Sequence, residues 1–356
     1  MKVDKIELAK KITQLKGIVP SKTTIEALKG ILYKDGYLIA ANNEMTVKAK
    51  IEVIDDATRI EPFIIPDKAF ELIRSLPAGD VVITCEGTDV KIKLGKIKNQ
   101  FKTFEAEKFI YSKDSVPDEE AMSIPADKLK TLISHVLYAV ASTGSNQPMT
   151  GMFLHCENGK LNFVGLDGHR IAWDFIEYEG NLKLIIPKAA LEKILSLDFN
   201  GDVVITHDKQ SAVFKSDEYE VYTRLIAGEY FQYERMMQKG TLFTVVDRRV
   251  FIDAINRARL CGTAEDKAPV ILHLENNNIR ITYKNYAADY VEDVPTSVDF
   301  EETLRIGFDP KLLTDSLKAF DCDEVSIEFT SAKAPMFVKA GDSDMTALIL
   351  PVEIKE

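Results

Sequence analysis

Apolar residues along the chain follow two spacings. Runs with an apolar side chain at every second position mark strands with one buried face, and segments with apolar residues three and four apart mark helices with one buried stripe. The helical stripes fall into two sets. One holds Leu8, Ile12, Leu15 and Val19; then Leu129, Leu132, Ile133, Val136 and Val140; then Val250, Ala254, Ile255 and Ala258. The other holds Phe70, Ile73 and Leu76; then Leu191, Ile194 and Leu195; then Leu312, Leu313, Leu317 and Phe320. The strand pattern keeps step with both sets. GILYKDGYLIAANN (30–43), GMFLHCENGKLNFVGLDG (151–168) and VILHLENNNIRITYKN (270–285) each read as apolar run, tight turn, apolar run. Their turn dipeptides, Asp35-Gly36, Asn158-Gly159 and Asn276-Asn277, tolerate the positive φ of a two-residue hairpin turn.

A pattern that recurs at fixed spacing decides the architecture. IIPDKAFELIRSLPAGDVVIT (64–84) returns as IIPKAALEKILSLDFNGDVVIT (185–206), with Pro66 and Pro187 121 positions apart. A weaker copy, RIGFDPKLLTDSLKAFDCDEVSIEFT, occupies 305–330. Each repeat thus predicts strand–helix–strands twice over. The fold class is α+β: three repeated domains of two helices packed on antiparallel sheets, built from six similar half-domains. The expected domains are 1–118, 119–240 and 241–356, with polar linkers at 105–121 and 227–241.

At 356 residues, 46% hydrophobic and 28% charged, the chain is long enough for several domains, each with its own core. No run of about 18 apolar residues occurs, and the N-terminal MKVDKIELAKK lacks the apolar centre of a signal peptide. A cytoplasmic protein with no membrane partner is expected. Cys85, Cys156, Cys261 and Cys322 lie far apart and form no CxxC pair, so buried reduced thiols are expected rather than a metal or redox site.

A net charge of −11 argues against a simple nucleic-acid binder, but the charge is unevenly placed. The first-set helical segments carry +3, +1 and +2, and the second-set segments 0, +1 and 0, so the remainder is more acidic than the total. Helices gathered on one surface would make a basic face on an acidic body, able to hold phosphates without reading sequence.

With the repeat in view, FVGLDGHRIAW (163–173), RLIAGEYFQYERMM (224–237) and ALILPVEI (347–354) are the most specific segments. In order and spacing they resemble the DGHRLA segment, the RLxxGxFPDY segment and the MPMRL-like tail of the β subunit family of bacterial DNA polymerase III. The match spans essentially the whole chain. It implies three DNA-clamp domains per subunit and a head-to-tail homodimer of six domains, with helices lining the hole and sheets forming the outer shell. The implied function is that of a sliding clamp and processivity factor. Such a ring encircles double-stranded DNA topologically, without sequence preference, and tethers the polymerase III catalytic subunit and other clamp-motif proteins.

The resemblance also implies a hydrophobic peptide-binding pocket between the second and third domains. Its wall carries over to Met149, Leu166, Gly168, His169, Arg170, Ile171, Phe231, Arg235, Met236, Pro335, Leu348, Leu350, Pro351, Val352, Glu353 and Ile354. His169 and Arg170 are expected at the rim. Three positions depart from the family pattern: Phe231 stands for its proline, Gln232 for its aspartate and Glu353 for its tail arginine, while Lys355 and Glu356 extend the tail. The DNA-facing candidates are Lys10, Lys11, Lys16, Lys22, Lys128, Lys130, Arg248, Arg249 and Arg257, with Gln147 in a loop. The seam between subunits is expected at the strand around Phe101–Phe104 and the segment around Leu260–Ile271.

Two other classes compete. An enzyme would use Asp167 and His169, but no partner nucleophile or carboxylate cluster accompanies them, and the five histidines show no HExxH-type spacing. No catalytic residue, cofactor or metal is therefore assigned. No GxxxxGK[ST] or GxGxxG motif is present, so opening the ring requires a separate ATP-driven clamp loader. A repeat-built interaction scaffold that never touches DNA is the alternative, and it leaves the basic helices unexplained. The single Trp173 reads as core.

Overall fold

The structure is a computed structural model. It describes all residues except 55–59, 113–120, 145, 238–239, 263–267, 342 and 355–356, and the side chains of 298–302. The expected linkers include 113–120 and 238–239, and the tail extension is 355–356, so these lie outside the described residues.

The first repeat supplies β1 (Lys2–Asp4), α1 (Lys5–Leu15), β2 (Gly30–Lys34), β3 (Tyr37–Ala41), β4 (Met45–Lys50), β5 (Phe63–Pro66), α2 (Phe70–Ser75), β6 (Asp80–Glu86), β7 (Asp89–Leu94) and β8 (Ile97–Lys102). The second supplies β9 (Met122–Pro125), α3 (Ala126–Leu137), β10 (Gly151–Glu157), β11 (Lys160–Leu166), β12 (Arg170–Glu177), β13 (Lys183–Pro187), α4 (Lys188–Ser196), β14 (Asp202–His207), β15 (Ser211–Lys215) and β16 (Tyr219–Arg224). The third supplies β17 (Leu242–Asp247), α5 (Arg248–Leu260), β18 (Val270–Lys284), β19 (Asp289–Phe308), α6 (Pro310–Lys318), β20 (Glu324–Phe329), β21 (Met336–Lys339) and β22 (Thr346–Ile349).

Three helices start on an aspartate cap. Asp4 accepts from the Ile6 and Glu7 N–H groups, Asp247 from Val250, and Asp309 from Lys311 and Leu312. The inward stripes largely follow the spacing: Leu8, Ile12 and Leu15 of α1 and Leu129, Leu132, Ile133 and Val136 of α3 are buried. In α5 the stripe is turned by one residue. Val250 is 43% exposed, and its neighbour Phe251 takes the core position. The larger ring removes more apolar area from water, so it wins the inward place. The four cysteines form no disulfide among the described residues, and they are half-buried rather than buried.

The expected hairpin turns occur, with a difference in the third. Asp35 and Gly36 have φ of 48° and 80°, and Asn158 and Gly159 of 54° and 72°, so each supplies the two positive values of a tight reversal. In the third repeat Asn276 has φ 47°, but no glycine follows, and the extended run of β18 continues through the reversal. That run must nonetheless fold back. His273 Nε2 lies 3.1 Å from Thr282 Oγ1, nine residues on, where a straight strand would separate them by about 30 Å. Pairing with β19 shows the same limbs: Val270–Leu274 faces Leu304–Phe308, and Asn278–Lys284 faces Asp289–Pro295, with register shifts around Asn276.

The described chain divides into two compact units, residues 1–130 with 189–225 and residues 131–188 with 226–356. In the first, β5-β2-β3-β4-β16-β15-β14-β9 form an eight-stranded antiparallel sheet and β1-β6-β7-β8 a four-stranded one. In the second, β13-β10-β11-β12-β22-β21-β20-β17 form an eight-stranded sheet, beside the β18–β19 pair. Each eight-stranded sheet therefore joins four strands of one repeat to four of the next. The joints are β4 with β16, running from Met45↔Thr223 to Ala49↔Tyr219, and β12 with β22, running from Arg170↔Ile349 to Trp173↔Thr346. Two half-sheets have no such continuation within the chain. β8 is the terminal strand of its sheet, and among the described residues no strand pairs with the outer edge of the Asp289–Pro295 limb.

Candidate functional site

The apolar residues singled out in the second and third repeats meet in the second compact unit. Strand β11 ends at Leu166, the chain turns through Asp167-Gly168-His169, and β12 begins at Arg170. Gly168 has φ +87°, a conformation that side chains rarely adopt. Asp167 Oδ1 accepts from the His169 and Arg170 N–H groups at 3.0 and 3.1 Å, which closes the turn. One position upstream of Leu166, Gly165 lets α3 lie close to β11, because a Cβ there would stand 2.3 Å from the Val136 carbonyl oxygen. Ile171 is opposite Leu348 of β22, so the two strands present apolar side chains to one hollow.

That hollow is a cavity of about 200 Å³ lined by Met149, Leu166, Gly168, Arg170, Ile171, Phe231, Met236, Leu348 and Leu350. Phe231 is 44% exposed and forms its lip. Behind the wall lies an aromatic layer that the sequence reading passed over. Phe153 stacks on Tyr230 at 4.7 Å between ring centroids and on the His155 imidazole at 4.3 Å, and His155 Nε2 meets the Tyr233 hydroxyl at 2.9 Å. Burial pushes the Tyr230 and Tyr233 phenols well above their ordinary range, so both remain neutral. Both tyrosines stand in the RLIAGEYFQYERMM segment, where aromatic residues flanking Phe231 were the available signal.

The other expected wall residues are placed elsewhere. Pro351, Val352, Glu353 and Ile354 line a second depression of mixed polar and apolar character with Arg305, Ala332 and Lys333. The physical reason is the chain path. Val352 N–H donates to the Gly307 carbonyl at 2.9 Å, which draws the tail away after Leu350. His169, Arg235 and Pro335 line neither hollow: the first two are exposed, and Pro335 is half-buried just before β21.

Arg170 is not a rim residue. Its side chain is 7% exposed, and its donors are committed inside the protein. Nε donates to Asp167 Oδ2 at 2.9 Å and Nη2 to the Tyr138 carbonyl at 2.8 Å, while Nη1 reaches the Leu312 carbonyl at 3.4 Å and Asp315 at 3.5 Å. The guanidinium also sits 5.0 Å from the Tyr138 ring centre. Tyr138 is half-buried with its hydroxyl enclosed, and that burial lifts its phenol to about 12. Tyr138 and Asp315 lie far from Arg170 in sequence, and no local pattern marks them.

The basic candidates differ in availability. Lys11 is removed from any outer face: its side chain is 4% exposed, and its ammonium meets Glu218 at 2.7 Å and the Tyr219 hydroxyl at 2.9 Å. It occupies an inward position one residue before Ile12, and a buried ammonium requires such partners. Lys10 pairs with Asp198 at 2.8 Å, Lys16 with Glu71 at 3.6 Å, Arg249 with Asp323 at 3.7 Å and Arg257 with Glu292 at 2.5 Å. Lys130 donates to the Leu197 carbonyl at 2.6 Å and Arg248 to the Cys322 carbonyl at 2.5 Å. Lys22 and Lys128 are exposed and have no ion-pair partner among the described residues, and Gln147 is exposed at the start of a short 3-10 turn.

At the expected seam, Phe101 is half-buried on β8 and Phe104, just beyond it, is 41% exposed. Leu260 ends α5 and is 83% exposed. Ile271 lies on the Val270–Leu274 limb, which has β19 on one edge and folds against its own second limb on the other, so it offers no free edge. The free edge in that region is the Asp289–Pro295 limb.

Repeated half-sheets that share eight-stranded sheets across repeat boundaries, with an open edge left at either end, define a clamp-type protein. The comparisons with known proteins are specific. The models of the N-terminal, central and C-terminal domains of the DNA polymerase III beta subunit match residues 1–111, 123–232 and 238–353. The beta sliding clamp of Staphylococcus epidermidis is 26% identical over 95% of this chain and 94% of its own length. A putative DNA polymerase III beta subunit from Eubacterium rectale superposes with TM-score 0.89 at 28% identity, covering 99% of this chain and 98% of that one. A sliding clamp from Pseudomonas aeruginosa bound to griselimycin shares the fold with TM-score 0.92 at 22% identity, covering 99% of each chain. The chain belongs to the DNA polymerase III beta subunit family, the bacterial sliding clamps.

Proposed function

We infer that the chain works as a sliding clamp: two copies associate head to tail, close a ring around duplex DNA, and hold the replicative polymerase there. The observation that carries this reading is the pair of uncompleted half-sheets. Twice within the chain, the fourth strand of a leading half-sheet (β4, then β12) takes the last strand of the next repeat (β16, then β22). The equivalent strand of the third repeat is the Asp289–Pro295 limb, and among the described residues the terminal strand of its kind left open is β8. Pairing the limb with β8 of a second copy completes a third eight-stranded sheet, and doing so twice closes a ring. Unlike patches meeting with a rotation that closes is the condition for a ring rather than a fibre. β8 and its preceding turn carry Lys96, Lys98 and Lys102, while Asp289, Glu292 and Asp293 of the limb already pair with Lys284, Arg257 and Arg280, so the joint rests on strand pairing and apolar cover more than on charge. Leu260 and Val291, 83% and 60% exposed in the single chain, supply apolar surface to cover.

In this reading the helices face DNA, and their hold is weak by construction, because Lys10, Lys11, Lys16, Arg249 and Arg257 already have a carboxylate. A clamp that must slide is served by few free cations, Lys22 and Lys128 first among them, acting on phosphates through counterion release. The apolar cavity takes short clamp-binding motifs of the polymerase catalytic subunit, the loader and other clamp users, driven by apolar burial, while turns and strand ends beside it offer backbone groups. The chain does no chemistry of its own; the loader supplies the ATP-driven opening.

The seam is tested by Phe101→Asp and Leu260→Asp. A charge placed in a closed apolar joint costs several kcal/mol, so each variant is expected to sediment as a monomer at micromolar concentration while the parent sediments as a dimer. Dimers from both variants would place the joint elsewhere.

A further inference from the structure

We propose that His155, Glu157 and Glu234 form a site for a divalent transition-metal ion of the zinc type, which ties the turn at Tyr233–Met236 to strand β10. Phe153, His155 and Glu157 alternate along β10 and so share one face of the strand, and Glu234 approaches that face from the 3-10 turn. His155 Nε2 is 4.0 Å from Glu234 Oε1, and one ligand atom from each of the three side chains lies within 4.8 Å of the others. Zinc binds imidazole nitrogen and carboxylate oxygen at about 2.0–2.2 Å, which places ligand atoms roughly 3.4 Å apart in a tetrahedral shell. The remaining closure is small, and it falls on the two glutamates, both exposed and able to change rotamer.

Three further features fit a cation. Glu157 and Glu234 converge with no Lys or Arg ion-pair partner among the described residues, so their mutual repulsion is relieved by a bound cation. The imidazole is fixed by stacking on Phe153 and by edge contact with Tyr233, so it is oriented before any ion arrives. The ring nitrogen that faces Glu234 is Nε2, and the lone pair of a neutral imidazole is its metal-binding group. That lone pair now meets the Tyr233 hydroxyl; the ion takes it over, and the neutral phenol is left to donate to a carboxylate oxygen. A hollow of about 280 Å³ lined by Glu157, Glu234, Trp173 and Tyr233 leaves room for water ligands; Lys160 lines it too, with its ammonium held over the Phe175 ring at 3.5 Å.

Phe231 and Met236, at either end of the tied segment, line the apolar cavity, so a bound ion stiffens its lip. This consequence rests on the cavity being the peptide site, whereas the metal site itself does not.

The test uses the untagged full-length protein, stripped of metal by chelator. Co2+ is titrated while the visible ligand-field bands are followed, and Zn2+ is then added to displace it. One ion per chain is expected, with affinity at least tenfold weaker in Glu157→Gln and in Glu234→Gln, two surface changes that leave the metal-free melting curve in place. Absence of saturable binding, or stoichiometric binding that survives both substitutions, overturns the site. A polymerase-derived peptide is then titrated with and without Zn2+. Tighter binding with the ion supports the coupling to the lip, and equal affinity refutes the coupling while the Co2+ result stands on its own.

Discussion

Replacing Arg170 by glutamine removes the guanidinium that ties the Asp167–Arg170 turn to α3 and α6 while keeping a polar side chain. Four contacts are lost: those to Asp167, the Tyr138 carbonyl, the Leu312 carbonyl and Asp315. Removing one partner of a fully buried ion pair costs about 3–5 kcal/mol, because the other charge is left in a poorly solvated place. Here the figure is smaller. Asp167 and Asp315 are 16% and 28% exposed, and Asp315 keeps Lys311 at 2.7 Å. A loss of about 2–3 kcal/mol remains, mostly from Asp167 and the abandoned Tyr138 carbonyl. For a cooperative unit of roughly 200 residues this lowers the melting temperature by about 5–10 °C. Scanning calorimetry reads the effect in the transition of the second compact unit. Arg170→Lys is expected to recover less than half of it, since one ammonium cannot serve Asp167 and the Tyr138 carbonyl together. The turn also holds Gly168 and Ile171 on the cavity wall, so peptide affinity falls in parallel. A Gln variant melting within about 1 °C of the parent would show that Arg170 is a replaceable surface group after all.

The remaining predictions separate residues that the sequence alone treats alike. Leu350→Ala in the cavity wall weakens a polymerase-derived peptide roughly tenfold by calorimetry, the equivalent of about 1.4 kcal/mol, whereas truncation after Leu350 weakens it less, because Pro351 to Ile354 line a different depression. Equal losses from the two changes would return the tail to the cavity. Lys11→Ala lowers the melting temperature of the first unit by stripping Glu218 and the Tyr219 hydroxyl of their partner, while Lys22→Glu with Lys128→Glu leaves melting unchanged and reduces loader-dependent retention on DNA. A Lys11 variant with parental stability but impaired loading would restore it to the DNA face.

Much of the fold was legible because repetition multiplies weak signals. One Asn-Gly dipeptide between apolar runs is a modest sign, and three hairpin turns at one spacing are a strong one. The third turn shows the limit: without a glycine after Asn276 the reversal is looser, and the pairing that follows depends on β19, more than ten residues downstream. Helix stripes were readable to within one residue, and the slip at Val250 and Phe251 arose because both are apolar and only packing chooses between them. The cavity was reached through motifs whose apolar residues sit at strand ends, where Leu166, Ile171 and Leu348 converge. What escaped was set by contacts remote in sequence. The roles of Tyr138 and Asp315 at Arg170, and the burial of Lys11 against Glu218, follow from elements more than 30 residues apart. The basic helices were correctly counted, but a charge count does not show that Lys10, Lys11, Lys16, Arg249 and Arg257 are each met by a carboxylate remote in sequence.

Topology is the central claim: the protein holds DNA by surrounding it, not by gripping it. The direct measurement is retention of labelled protein on DNA after loading by a clamp loader and ATP, on nicked circular plasmid and on the same plasmid cut once. At a salt concentration that abolishes binding through phosphates, the protein is expected to remain on the circle for many minutes and to leave the cut plasmid by sliding off its ends. Blocking those ends with tightly bound protein is expected to restore retention. Equal, salt-sensitive loss from circular, cut and end-blocked DNA would contradict the account.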